Sequence, residues 1–213
     1  IDEVKKSERI RKAPLPFTTS TLQQEAAKAL NFSTQKTMRI AQQLYEGVDI
    51  DGHGTIGIIT YLRTDSTRVA AEADVSAREY IKNNYGVDYY CPIDNKKEND
   101  KKIQDAHEAI RPTDIELTPA KIKDSLARDQ FRLYQLIWKR FAASRMQPAR
   151  YETTTAKITV GEHHFSSSSS RLVFDGFMSV YAEADEEKEE NNSMVGSLST
   201  DSVITLEDTD SRQ

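Results

Sequence analysis

The sequence predicts an α+β fold: a mainly helical region with a helix-turn-helix core, followed by an antiparallel β segment. Three observations lead there. Helix-start signals and apolar spacing near 3.6 residues recur from Ser20 to Met146. At Pro148 the spacing changes to alternation with a Gly161-Glu162 turn. The charge divides at the same place. Residues 1–147 carry 24 Lys+Arg and 21 Asp+Glu (+3), whereas residues 148–213 carry 5 and 13 (−8).

Residues 1–13 are highly charged through Lys5, Lys6, Arg9, Arg11 and Lys12, and read as a solvated connector that ends at Pro14 and Pro16. Ser20-x-x-Gln23 has the form of a capping box, with helix formers through Leu30. Asn31-Phe32 breaks that helix. Ser33 caps a second over roughly 34–46, with apolar positions at Ile40, Ala41, Leu44 and Tyr45. Gly47–Gly54 is a loop whose Asp49 and Asp51 are turn residues rather than metal ligands. Thr55–Arg63 follows as a strand, so the order is helix, turn, helix, strand, as in a winged helix, whose second helix often faces DNA.

An amphipathic helix spans 71–84, with Ala70 where a side-chain cap would be stronger. Residues 94–103 are lysine-rich and read as a mobile loop. Asp105 caps a short helix holding His107, Glu108 and Arg111, limited by Pro112; positions 107 and 111 then share a face. Thr118-Pro119 starts the next helix. Asp129 caps a longer one to about Met146, with Phe131, Tyr134, Ile137, Trp138 and Phe141 as its buried stripe. Strands are expected around Tyr151–Val160, Phe165, Leu172–Phe174, Phe177–Tyr181, Leu198 and Val203–Leu206, with an acidic loop over 183–190.

Composition excludes several classes. Cys91 is the single cysteine, so a disulfide framework or a cysteine-based zinc site is ruled out, in keeping with a reducing, cytoplasmic setting. No apolar run approaches the ~18 residues a membrane span needs. Ile1-Asp2-Glu3-Val4-Lys5-Lys6 is not a signal peptide, lacks an initiating Met and reads as the start of an internal fragment.

The chemistry concentrates in Gly57-Ile58-Ile59-Thr60-Tyr61-Leu62-Arg63-Thr64-Asp65-Ser66-Thr67-Arg68. On a strand, Tyr61 and Arg63 project together and Leu62 points away. A free phenol has a pKa near ~10, and a neighbouring guanidinium favours its phenolate while binding phosphate oxygens in two-point geometry. The pair suits nucleophilic attack on a phosphodiester. A core aromatic beside a surface arginine is the bland counterpart.

Three blocks carry a family resemblance. Ile59–Ser66 resembles the active-site tyrosine motif of the type IA DNA topoisomerases. Gln104-Asp105-Ala106-His107-Glu108-Ala109-Ile110-Arg111-Pro112-Thr113 resembles a second signature of that family, and Pro16–Ala26 the stretch that precedes its tyrosine. Leu62 points within the family to the bacterial topoisomerase I branch. The resemblance implies an active-site tyrosine domain over 14–147 and, over 148–213, part of an arch domain whose earlier strands precede Ile1. It implies Tyr61 as nucleophile and Arg63 as charge stabiliser. His107, Arg111, Thr64, Asp65, Ser66 and Arg68 become DNA contacts. An imidazole changes charge between pH ~5 and ~8, so a contact at His107 would be pH-sensitive.

The resemblance further implies an ATP-independent enzyme acting on single-stranded and negatively supercoiled DNA near the nucleoid. Its Mg²⁺ would sit in a TOPRIM domain absent from this chain, which would be inactive alone. The rivals are a non-catalytic winged-helix DNA-binding module and a structural hinge fragment. Either would bury Tyr61.

Overall fold

The computed structural model describes residues 1–91 and 107–181. These fall into two compact units, taken separately below. The lysine-rich loop, the Asp105 cap, the acidic loop and the last expected strands lie outside the described residues.

The larger unit contains Lys12–Pro148 and the segment from Gly176. Helix α1 (Thr19–Leu30) starts two residues before the position read from sequence. Thr18 is its N-cap, and the reciprocal partner is Thr21 rather than Gln23: the Thr18 hydroxyl accepts from Thr21 N at 3.3 Å and Thr18 N donates to Thr21 Oγ1 at 2.9 Å. The helix ends at Asn31, in the left-handed region at φ 57°, a conformation asparagine tolerates better than most residues. Helix α2 (Thr34–Glu46) has Ser33 as N-cap, as expected, and buries Thr37, Ile40, Ala41 and Leu44. Tyr45, read as part of that stripe, instead faces outward.

Residues 47–54 are not a plain loop. Strands β2 (Val48–Ile50) and β3 (Gly54–Ile56) pair as a short hairpin with Asp49 opposite Thr55. Helix α3 (Ala71–Asn84) has Ala70 at its N-cap and no side-chain cap of its own. Helix α4 (Pro119–Ile122) starts on Thr118 and Pro119 as the sequence indicates. Helix α5 (Arg128–Ser144) starts at Ala127, whose N–H donates to Gln130 Oε1 at 3.0 Å. Asp129 therefore sits in the first turn, not at the cap, and pairs with Lys36 at 2.7 Å. α5 buries Tyr134, Ile137, Trp138 and Phe141 as expected, together with Leu133, Leu136, Ala142 and Ala143; Phe131, read into the same stripe, is only half-buried. Its buried polar tips are satisfied: Tyr134 Oη donates to Leu117 O at 2.6 Å and Trp138 Nε1 to Ile115 O at 2.9 Å. Burial pushes the Tyr134 phenol far above its ordinary value.

After Asp175 the chain does not form the expected strand. Gly176, at φ 50°, opens a single 3₁₀ turn (Gly176–Ser179). A Cβ at 176 would lie 2.3 Å from the Gln147 carbonyl oxygen, so only glycine fits there. Phe177, buried by this turn, donates its N–H to Gln147 O at 2.9 Å.

The smaller unit is a three-stranded antiparallel sheet, in the order β1–β4–β5, among the described residues. Strand β1 (Glu3–Arg11) occupies what the sequence marks as a solvated connector, and it supplies β4 with a partner strand inside the chain. Its charges hid it: an edge strand tolerates lysine and glutamate on open faces, and such composition does not signal pairing. Lys157 bonds Glu3 at 2.8 Å and holds that carboxyl below its usual range. Arg9 lies over the Tyr151 ring at 4.6 Å. Strands β4 (Ala149–Val160) and β5 (His163–Phe174) turn at Gly161, at φ 62°. The serine run is in register with the threonines of β4. Thr153 faces Ser170 and Thr155 faces Ser168, each pair bridged by hydroxyls 2.9 Å apart.

Candidate active site

The site is built where two extended segments of the larger unit meet. Of the expected strand only Thr55 and Ile56 belong to a ladder, within β3. Beyond it, Ile59 forms a single bridge with Pro112. The ladder goes no further, because Ile58 N donates to Leu44 O and Arg111 N to the Thr60 hydroxyl. Side-chain bonds replace it: Thr60 Oγ1 donates to Ala109 O at 2.7 Å and accepts from Arg111 N at 3.0 Å. Thr60 N donates to Arg111 O at 2.9 Å and Thr113 N to Ile58 O at 3.0 Å.

This pairing also overrides the short helix read at 105–111. His107–Arg111 is not helical, because Ala109 N donates to Arg68 O and Ile110 N to Phe17 O, both at 2.8 Å. His107 and Arg111 therefore do not share a helix face.

Alternation nevertheless survives along the reactive stretch. Tyr61 and Arg63 are exposed, whereas Leu62 and Thr64 are buried. Thr19 fixes that phase: its hydroxyl donates to Leu62 O at 2.7 Å and accepts from Thr64 N at 2.9 Å. Tyr61 is 42% exposed and is not a core aromatic. Its ring is flanked edge-on by Tyr45 (centroids 5.5 Å, 68°) and face-on by His107 (6.0 Å, 28°). No ion pair or hydrogen bond engages the Arg63 guanidinium among the described residues.

The hydroxyls that follow shape the loop. Thr64 Oγ1 accepts from Ser66 N at 3.0 Å and Ser66 Oγ from Arg68 N at 3.2 Å. Asp65 and Arg68 face solvent.

Arg111 is placed differently from the other candidates. Its side chain is only 10% exposed and lies in an internal pair. Nε and Nη2 donate to Glu108 Oε2 at 2.8 and 2.7 Å, and Nη1 donates to Pro112 O at 2.9 Å. The same Glu108 oxygen accepts from Ala70 N at 3.3 Å, at the uncapped start of α3. Glu108 and Arg111 thus tie the His107 segment to α3. A cavity of about 570 Å³ opens beside them, lined in part by Glu72, Ser76, Glu108, Arg111 and Asp114, but not by Tyr61 or Arg63.

Arg111→Ala is expected to destabilise the protein by about 2–4 kcal/mol, because Glu108 is left partly buried and unpaired. Chemical denaturation checks it. Unchanged stability combined with weakened DNA binding would instead make Arg111 a phosphate ligand.

Sequence reasoning missed Tyr45, Thr60, Thr19 and Glu108. Tyr45 carried a signal, since it lies about 100° around α2 from Leu44 and off the stripe of Thr37, Ile40, Ala41 and Leu44. Thr19 and Thr60 carried none, because their roles depend on contacts 43 to 51 residues away; Glu108 showed its i, i+3 spacing to Arg111 but not its contact with Ala70, 38 residues away.

A family model described as DNA topoisomerase matches residues 1–213. The chain belongs to the DNA topoisomerase family. Full-length topoisomerase I from Thermotoga maritima is similar in structure, with a TM-score of 0.77 and 42% sequence identity over 90% of this chain. The chain spans 30% of the length of that protein. The likeness to the bacterial topoisomerase I branch, read from Tyr61-Leu62-Arg63 and its companion blocks, agrees with this match. So does the α+β fold. Among the described residues no group of three or more His, Cys, Asp or Glu side chains converges as a metal site. Asp49 and Asp51 lie exposed on the β2–β3 hairpin. No helix among the described residues is long and apolar enough to cross a membrane.

Proposed function

We propose that this chain is the tyrosine-bearing part of a type IA topoisomerase, and that Tyr61 is its nucleophile. The single observation that carries this reading is the position of Tyr61: a phenol held at the surface between Tyr45 and His107, directly after a buried apolar run. In the proposed reaction the Tyr61 oxygen attacks a phosphorus of single-stranded DNA. The P–O3′ bond breaks, the 3′-oxygen takes up a proton, and a 5′-phosphotyrosyl diester remains. Reversal restores the strand. One phosphodiester replaces another, so no ATP is consumed. Passage of a second strand through the break relaxes negative supercoils.

Arg63 meets the charge that develops on the phosphorane oxygens. His107 lies on the face of the Tyr61 ring, and that stacking supports its reading as a contact to the same phosphate. Thr64, Asp65, Ser66 and Arg68 form the adjoining loop; Asp65 and Arg68 are exposed, which supports their reading as DNA contacts. Arg111 supports this surface from behind. Among the described residues no acidic cluster forms a Mg²⁺ site; on this reading the ion and the acidic groups for proton transfer belong to another domain of the parent enzyme. The chain alone then lacks the means to ionise Tyr61 and protonate the leaving oxygen.

The test uses labelled single-stranded oligonucleotide, Mg²⁺ and a denaturing quench. The full-length protein is expected to yield a covalent adduct whose DNA-linked peptide contains Tyr61. The 213-residue chain alone is expected to yield none. An adduct mapped to another residue would overturn the assignment of the nucleophile. A robust adduct from the chain alone would overturn the account of the missing acidic groups.

A further inference from the structure

We propose that Tyr45 is a positioning residue for the reaction, holding the Tyr61 ring at its angle of attack. This rests on Tyr61 being the nucleophile.

An exposed tyrosine ring turns about two side-chain torsions on the picosecond-to-nanosecond scale. Attack at phosphorus needs the oxygen within a narrow range of distances and angles. Something must therefore hold the Tyr61 ring. Backbone bonds hold the chain at Thr60, to Arg111 O, and at Thr64, from Thr19 N, so they fix the Tyr61 Cα position but not the ring. The Tyr45 ring meets Tyr61 at 5.5 Å between centroids and 68° between planes, the edge-to-face geometry that aromatic rings prefer.

Packing alone does not require an aromatic at 45. The buried stripe of α2 is complete with Thr37, Ile40, Ala41 and Leu44, and Tyr45 remains 39% exposed. Its backbone is nevertheless fixed against the segment that carries Tyr61. Ile58 N donates to Leu44 O at 2.9 Å. A Cβ at Gly57 would lie 2.4 Å from the Tyr45 carbonyl oxygen. The absence of a side chain at 57 lets the last turn of α2 rest on the chain four residues before Tyr61. That contact sets the separation of the two rings.

An edge-to-face contact biases a ring orientation by roughly two- to twelve-fold. In the full-length protein, Tyr45→Leu and Tyr45→Gln are expected to lower the single-turnover cleavage rate at saturating DNA by about 3–10-fold, with the DNA Kd within twofold of wild type. Both residues are good helix formers, so α2 is retained. Tyr45→Phe keeps the ring and should cleave at the wild-type rate. With 3-fluorotyrosine at position 61, the fluorine resonance should move in the Leu and Gln variants and stay in place in the Phe variant. That signal does not depend on chemistry.

Cleavage by Leu and Gln variants within twofold of wild type, or an unmoved fluorine resonance, overturns the proposal. So does a Phe variant as slow as the other two. Adduct formation by a Tyr61→Phe control would overturn the assignment of Tyr61 instead, and leave the fluorine result as a test of ring orientation alone.

Discussion

Tyr61→Phe in the full-length protein is expected to abolish the covalent DNA adduct while leaving the fold intact. The substitution removes one oxygen and retains the ring. Contacts with Tyr45 and His107 are made by ring atoms, with centroids at 5.5 and 6.0 Å, and Tyr61 is 42% exposed. No hydrogen bond to the Tyr61 hydroxyl is present among the described residues. Stability should therefore change by no more than about 0.5 kcal/mol, the usual range for such surface sites. DNA affinity should also persist, because basic groups such as Arg63 and Arg68 are untouched. The loss of chemistry with preserved Kd and preserved melting separates a nucleophile from a structural aromatic. Adduct formation by the phenylalanine variant would remove Tyr61 from the mechanism.

The helical framework was legible because its signals are local. Ser33, Thr118-Pro119 and the stripe around Tyr134, Ile137, Trp138 and Phe141 each state a helix within a few residues. Strand β1 was not legible. Its pairing with β4 joins residues 3–11 to residues 149–157, and its own composition resembles a solvated linker. The helix expected through His107–Arg111 is absent for a related reason. Local spacing allowed a helix, but Ala109, Ile110 and Arg111 spend their backbone groups on Arg68, Phe17 and Thr60. The outward placement of Tyr61 and Arg63 was legible even though the strand was not. The exposed–buried alternation from Tyr61 to Thr64 holds even though the chain bends at Leu62 and Arg63, because the Thr19 bonds to Leu62 and Thr64 turn both of those residues inward. Glu108 and Arg111 pair at i, i+3, a spacing that a helix would also bring together; what the sequence hid is that Glu108 folds back under the start of α3, 38 residues away.

Arg63→Ala is expected to lower supercoil relaxation by the full-length protein by about 10²–10³, the scale for removing one preorganised stabiliser of transition-state charge. Two features of the site support so large a loss. Arg63 is exposed, two residues from Tyr61 and one beyond the buried Leu62. Its guanidinium also makes no ion pair or hydrogen bond among the described residues, so its charge is not spent within the fold. Arg111 offers the contrast: it carries the same charge, but Glu108 neutralises it at 2.7 Å. The two alanine variants should therefore separate. Arg111→Ala lowers stability, whereas Arg63→Ala lowers the rate at nearly unchanged stability. Arg63→Lys keeps the charge but loses the planar two-point geometry, and should recover only part of the activity. Relaxation and oligonucleotide cleavage, measured beside chemical denaturation, distinguish these outcomes. An Arg63→Ala enzyme within threefold of wild type would show that the phosphorane charge is met elsewhere.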